Sequence, residues 1–245
     1  MNNITNKSFE QIFSEVLEQN DLESFITPMF ASAFAGLHHC LSTSKHNVTA
    51  IRQTDEVCTY HFADSLVLAQ ILGNHSGSSL LDVGSGGGFP ALPLAIAHPN
   101  LHITALDSTT KKLEFVSQTA ATLQLSNIST LSGRGEELAH KPEYRESFDI
   151  VTARGVAHLT PLSELCLPFL KIGGVFAAMK GDGGEDELDS AKGAILKLGG
   201  EIEGVHDYIL TCGEEKRQRK ILIIRKKNNT IKKYPRSWKS IMKGF

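Results

Sequence analysis

Four glycines within five positions, Gly84, Gly86, Gly87 and Gly88, follow the apolar run Leu80-Leu-Asp-Val83 and precede Phe89-Pro-Ala-Leu-Pro93. Bare backbone of this kind admits positive φ and close approach of a ligand, and the free N–H groups of a following helix start point at it. Asp107 stands roughly twenty residues downstream, where a carboxylate can accept both hydroxyls of a ribose. A second chemistry also fits, because Gly86-Gly-Gly-Phe-Pro-Ala91 satisfies the Gly-x-Gly-x-x-Ala form of a dinucleotide fingerprint. Arg154 follows Phe148-Asp-Ile-Val-Thr152 and Lys180 ends another apolar run. Both therefore fall at the carboxyl ends of expected strands, where open α/β sheets bind ligands. Each residue also has a plain structural use: Phe89 as core, Asp107 as a helix cap, Arg154 in a surface ion pair, Lys180 as a solvated strand end.

The elements that must position these groups alternate. Strands are predicted at 79–83, 102–106, 128–131, 148–152 and 174–179, with helices near 90–98, 109–124, 160–170 and 185–198. Short connections between alternating strands and helices imply right-handed crossovers and a parallel sheet covered on both faces. Pro90 and Pro93 suit a first helical turn, Thr160-Pro161 reads as an N-cap and first-turn pair, and Gly173-Gly174 and Gly199-Gly200 as helix ends. Then the alternation breaks. Gly204–Leu210 and Lys220–Arg225 are strand-like and joined by a polar turn without a helix, so they should pair antiparallel. A two-half dinucleotide fold would continue with a crossover helix, whereas a parallel sheet closed by a hairpin favours S-adenosylmethionine as ligand. Upstream, Phe9, Ile12, Phe13, Val16 and Leu17 form a helical stripe, and helices are expected from about 22 to 41 and 56 to 72. The expected organisation is an N-terminal helical cap over 1–73, a Rossmann-like domain over 74–226 and a basic tail over 227–245.

The chain has 245 residues, 41% of them hydrophobic, enough for a full core. No apolar run approaches the roughly 18 residues of a membrane span, and Met-Asn-Asn-Ile-Thr-Asn-Lys lacks an apolar secretory segment, so a soluble, cytoplasmic protein is expected. Cys40, Cys58, Cys166 and Cys212 lack zinc-site spacing and read as reduced thiols; no metal site is expected. Net charge is −2, but twelve of the 25 Lys and Arg fall between Lys216 and Phe245 with no acid among them. A basic end on an acidic body suggests a polyanionic partner, the plain alternative being a solvated terminus. No second apolar face is evident, which points to a monomer.

Five segments in order make a more specific pattern: Leu81-Asp-Val-Gly-Ser-Gly-Gly-Gly-Phe-Pro-Ala-Leu-Pro-Leu-Ala-Ile96, Leu106-Asp-Ser108, Ser132-Gly-Arg-Gly-Glu-Glu137, Phe148–Ala157 and Met179-Lys-Gly181. Together they resemble the RsmG (GidB) family of bacterial enzymes, which methylate a guanine at N(7) in the decoding-region loop of 16S ribosomal RNA. The likeness runs from about Asn47 to Arg236. It implies the class I S-adenosyl-L-methionine-dependent methyltransferase fold, with Gly84, Phe89 and Asp107 holding the donor and Gly135 and Glu136 beside its adenine. It also implies Arg154 touching both donor and site, and Lys180 near the guanine or a phosphate. Ala91 replaces the fourth glycine of the pattern, and Gly135 and Gly155 replace alanines. The usual Trp-Asn pattern before Asn47-Val-Thr-Ala-Ile51 is missing, and Ser237–Phe245 lacks the family's Pro- and Gly-containing ending.

Methyl transfer to guanine N(7) removes no proton, so alignment and electrostatics suffice, in agreement with a sequence that offers no acid–base constellation. Neither Cys166 nor Cys212 follows a proline, as a covalent pyrimidine route would want, and Ala153-Arg-Gly-Val156 stands where an exocyclic-amine enzyme has Asn-Pro-Pro-Tyr. Two alternatives remain at this level: an NAD-dependent oxidoreductase, and a donor-binding RNA chaperone or sensor without turnover. Trimming residues 226–245 is expected to weaken RNA binding more than donor binding.

Overall fold

A computed structural model describes residues 7–45 and 48–244, with 184–186 described by backbone alone; Asn47 of the upstream motif lies outside them. Seven strands form one sheet: β1 (Ser79–Val83), β2 (His102–Asp107), β3 (Ile128–Ser132), β4 (Phe148–Arg154), β5 (Leu170–Lys180), β6 (Gly200–Cys212) and β7 (Glu215–Lys226). Their order is β3-β2-β1-β4-β5-β7-β6, parallel throughout except for β7, which runs antiparallel to both neighbours. Order reverses between β1 and β4. That is the switch point outside which ligands bind, and both the glycine turn and Arg154 leave the sheet there.

Helices α1 (Phe9–Glu18), α2 (Pro28–Thr43), α3 (Thr54–Val57), α4 (Asp64–Leu72), α5 (Ala91–Ala97) and α6 (Thr110–Thr122) share one hydrophobic core with strand residues such as Leu80, Ile103 and Ala177. The other core cluster takes in α7 (Gly135–Leu138), α8 (Leu159–Cys166), α9 (Gly184–Lys197) and, from α10 (Trp238–Ile241), Trp238 packed against it. The N-terminal helices dock through aromatic rings. Centroids run Phe9–Phe13 5.7 Å, Phe13–Phe34 5.0 Å, Phe34–Phe62 5.0 Å and Phe62–Phe89 6.2 Å, a ladder from α1 to the glycine turn. Phe13, Phe34 and Phe62 are fully buried, each contributing roughly 2–3 kcal/mol of transfer free energy. α1 starts on a capping box between Ser8 and Gln11, and α2 on Thr27, whose hydroxyl accepts the Phe30 N–H ahead of Pro28.

Local reading fails in four places. Residues 22–41 are not one helix, because a 3₁₀ turn over Glu23–Phe25 precedes the Thr27-Pro28 start of α2. The third cap helix opens into a π-helical turn at Cys58–Ala63 between α3 and α4, a distortion often found at functional sites. Thr160 is not the cap of α8: the helix starts at Leu159, whose N–H donates to Glu187 Oε2 of α9 at 2.7 Å. That cap arrives from another element, so no local signal announces it. Gly173-Gly174 ends no helix but lies inside β5, where the register against β4 shifts between Phe148 and Ile150. A Cβ on Gly174 would stand 2.8 Å from the Asp149 carbonyl, so the glycine marks close backbone approach at an irregular strand.

Residues after β7 pack back onto the body. Arg145 donates to the carbonyls of Thr230 and Tyr234, His140 bonds the Pro235 carbonyl at 2.7 Å, and Tyr234 and Ile241 are buried. Among the described residues, six of the twelve terminal basic residues carry carboxylate partners: Arg217 with Glu215, Lys220 with Asp207, Arg225 with Glu203, Lys226 with Glu146, Lys227 with Glu201 and Arg236 with Glu164. Lys226 is fully buried, so its charge is not offered to solvent.

Gly199 joins α9 to β6 at φ +86°, and a Cβ there would lie 2.2 Å from the Asn228 carbonyl oxygen. Gly199→Ala is expected to destabilise the protein by roughly 2–5 kcal/mol, from left-handed backbone strain plus overpacking. A fall in urea midpoint at unchanged m-value measures it.

Candidate active site

At the carboxyl ends of β1, β2 and β4 a cavity of about 140 Å³ is lined by Gly84, Asp107, Ser108, Gly135, Glu136 and Val156, with Leu165 and Trp238. Gly84 sits at φ +72°, and a Cβ on it would come within 2.6 Å of Val156 Cγ2, so only glycine keeps this approach open. Asp107 braces the glycine turn: Oδ2 accepts the Gly86 N–H at 2.9 Å and Oδ1 the Thr109 N–H at 2.8 Å. The N-cap position of α6 belongs to Thr109. An ionised carboxylate offers about four lone-pair sites, so Asp107 keeps acceptor capacity for hydroxyls in the cavity.

Beneath the turn, Asp82 is 1% exposed, and among the described residues neither its carboxylate oxygens nor the Ser85 hydroxyl complete a well-formed hydrogen bond, although Ser85 lies close enough to act on the carboxylate. Burial pushes the Asp82 pKa up to about 6, against the pull of Ser85 and Arg154. Buried carboxylates are ordinarily paired. The acceptors on Asp107 and the bare backbone at Gly84 fit a ligand carrying a ribose, while Asp82 lies behind the turn and lines neither cavity. Sequence reading passed over Asp82 as a strand residue; its signal was a carboxylate in an otherwise apolar strand.

A second cavity, about 280 Å³, opens between the cap and the hairpin, lined by Tyr60, His61, Arg154, Lys180, Arg217 and Arg219 among others. Arg154 anchors it. Its NH1 donates to Asp64 Oδ2 at 2.7 Å and to the Tyr60 carbonyl at 2.8 Å, and its NH2 lies 3.2 Å from His61 Nδ1. The Asp64 carboxylate also accepts the Tyr208 hydroxyl at 2.8 Å. Lys180 donates to the Ala157 carbonyl at 2.8 Å and pairs with Glu187 at 2.7 Å. Arg217 lies over the Tyr60 ring, 3.9 Å from its centroid, while Arg219 Nε is buried without a hydrogen-bond partner.

The predicted residues thus divide. Gly84, Asp107, Gly135 and Glu136 line the first cavity and Arg154 and Lys180 the second. Phe89 lines neither: it is 5% exposed, stacked on His61 at 4.4 Å and 14°, with the Arg154 guanidinium 5.8 Å from its ring centroid. Its aromatic bulk belongs to the ladder that docks the cap. Arg217 and Arg219 belong to the basic run that suggested a polyanionic partner, whereas Tyr60, His61, Asp64, Tyr208 and Trp238 escaped as site residues because they come from segments far apart in the chain. Among the described residues there is no His, Cys, Asp and Glu cluster able to hold a metal ion, and no helix is long and apolar enough to cross a membrane.

Sheet order and a site at its switch point define a class I S-adenosylmethionine-dependent methyltransferase. The fold is shared with a methyltransferase of that dependence from Aquifex aeolicus, 16% identical, covering 70% of this chain and 94% of that one at a TM-score of 0.52. Residues 39–220 match the family model GidB, rRNA small subunit methyltransferase G. The ribosomal RNA small subunit methyltransferase G of Bacillus subtilis (strain 168) is 44% identical over 192 residues, 78% of this chain and 80% of that protein. Its counterpart in Oceanobacillus iheyensis is 45% identical over the same share of each. The chain belongs to the GidB family and is an S-adenosylmethionine-dependent methyltransferase.

His61 supplies a direct check on the second cavity. Burial, then the Arg154 charge, lowers its pKa to about 3. Since Nδ1 accepts from Arg154, the proton sits on Nε2 and is donated to Thr49 Oγ1 at 2.7 Å. A depressed folded pKa means this contribution to stability is complete above about pH 6.5 and is lost as pH falls towards 3. Imidazole ¹⁵N spectra should show the neutral Nε2–H form at pH 5, and His61→Gln should flatten the fall in stability below pH 6.5.

Proposed function

We propose that the chain transfers a methyl group from S-adenosylmethionine to N(7) of a guanine in the decoding-region loop of 16S ribosomal RNA. The observation that carries this reading is the division of the site by three consecutive residues: Arg154 and Gly155 line the cationic cavity and Val156 the glycine-lined one. A ribose-bearing donor and an anionic acceptor would thereby meet at the end of one strand. Gly84, Asp107, Gly135 and Glu136 would hold the donor. Bound S-adenosylmethionine supplies an electrophilic methyl on a sulfonium.

The chain's own groups align and neutralise. Arg154, Arg217, Arg219 and Lys180 draw an RNA segment into the second cavity through its phosphates and base edges. Among the described residues no side chain there is free to remove a proton, the Asp64 carboxylate being held by Arg154 and Tyr208. His61 Nδ1 is taken up by Arg154, and the Tyr208 hydroxyl, pushed well up chiefly by burial, donates to Asp64. Burial, then Glu215, pushes Tyr60 up to about 12. Guanine N(7) presents an in-plane lone pair with no proton, so such a site suits it. Phe89 acts as a positioning residue, stacking on His61 and lying beside Arg154. The same reading takes residues 1–73 as a cap that closes the acceptor side, 74–226 as the transferase domain and 227–245 as a basic extension. The small ribosomal subunit in the bacterial cytoplasm is the partner, met by a monomer.

Tritiated methyl transfer to small-subunit rRNA from a strain lacking this gene is expected to label 7-methylguanosine at one mapped position. Active, donor-binding protein that leaves guanine unlabelled would sink the proposal. Arg219→Ala should weaken rRNA binding and lower the slope of log affinity against log salt by about one, at unchanged donor affinity.

A further inference from the structure

The donor cavity has a wall that its strand-end motifs do not supply. Trp238, the only tryptophan of the chain, lines it together with Leu165, Asp107 and Glu136. Trp238 lies far beyond residue 220, where the family match ends, in the segment that departs from the family's ending.

The segment is fixed there by a buried charge. Glu164 of α8 is fully buried and takes the Arg236 backbone N–H at 2.8 Å, Arg236 Nε at 2.9 Å and Arg236 NH2 at 2.7 Å. A carboxylate with no exposure demands such pairing, since removing its partner would leave a buried charge uncompensated. Tyr234 on one side and Ile241 on the other are buried, at 3% and 1% exposure, so Trp238 is held between two anchored points. One helix therefore sets both halves of the wall, since Glu164 holds the segment and the adjacent Leu165 lines the cavity. An indole at the edge of a purine-sized, partly apolar cavity offers a flat surface for base stacking.

We propose that Trp238 forms the wall of the donor site against which the adenine packs, making the C-terminal segment part of donor binding. This rests on the donor reading of the first cavity and adds to it a residue outside the shared motifs. It also reverses the expectation from charge alone, that trimming residues 226–245 would act mainly on RNA binding.

S-adenosylhomocysteine is the probe, in the full-length protein without RNA. Titration should change the emission of the single tryptophan saturably, with the dissociation constant that calorimetry gives. Trp238→Ala should raise that constant about tenfold or more, while Trp238→Phe, which keeps an aromatic face, stays within about threefold. Matching circular dichroism and melting temperatures show that the variants are folded; should Trp238→Ala fail to fold, wild-type emission and Trp238→Phe still decide. Calorimetric binding with unchanged tryptophan emission, or unchanged affinity in folded Trp238→Ala, overturns the wall and leaves the donor reading standing. Absence of any binding to wild-type protein overturns both.

Discussion

A single guanidinium ties the functional parts of this protein together. Arg154 emerges at the carboxyl end of β4 and makes its contacts to the N-terminal cap: the Asp64 carboxylate, the Tyr60 carbonyl and the His61 ring. Asp64 is 4% exposed, so neither charge would be tolerated there alone. Five donors in a rigid fork suit three differently oriented acceptors, which an ammonium on a flexible stem would not. The cap is thereby registered on the sheet, and the π-helical turn that carries Tyr60 and His61 is held facing the site.

From that fixed point the site is built outward. Phe89 stacks on His61 and continues the aromatic ladder into α1, so packing in the cap reaches the glycine turn. On the sheet side, β4 delivers Arg154, Gly155 and Val156 into two cavities at the switch point. Asp107 closes the arrangement by bonding both the glycine turn and the entry to α6. Electrostatics follow the same economy. Much of the C-terminal positive charge is matched by carboxylates on β6, α8 and the start of β7, and the cations that line the second cavity come from the ends of β4 and β5 and the first residues of β7. A run of Lys and Arg in sequence is therefore a poor measure of the charge offered to a partner.

The sequence by itself determined the glycine turn, the parallel alternation, the terminal hairpin and the strand-end positions of Asp107, Arg154 and Lys180. These are written in short-range periodicity and in backbone demands that only glycine meets. Tertiary structure decided what depends on groups far apart in the chain: the Glu187 cap on α8, the ladder that holds Phe89 outside the lining of either cavity, the Arg154 anchorage and the return of Trp238 to the glycine-lined cavity. Asp64 and Arg154 are 90 residues apart, and Glu164 and Arg236 are 72 apart. Nothing local distinguishes a carboxylate that will be buried against a distant guanidinium from one that stays in water; only burial, which the whole fold creates, makes that pairing obligatory.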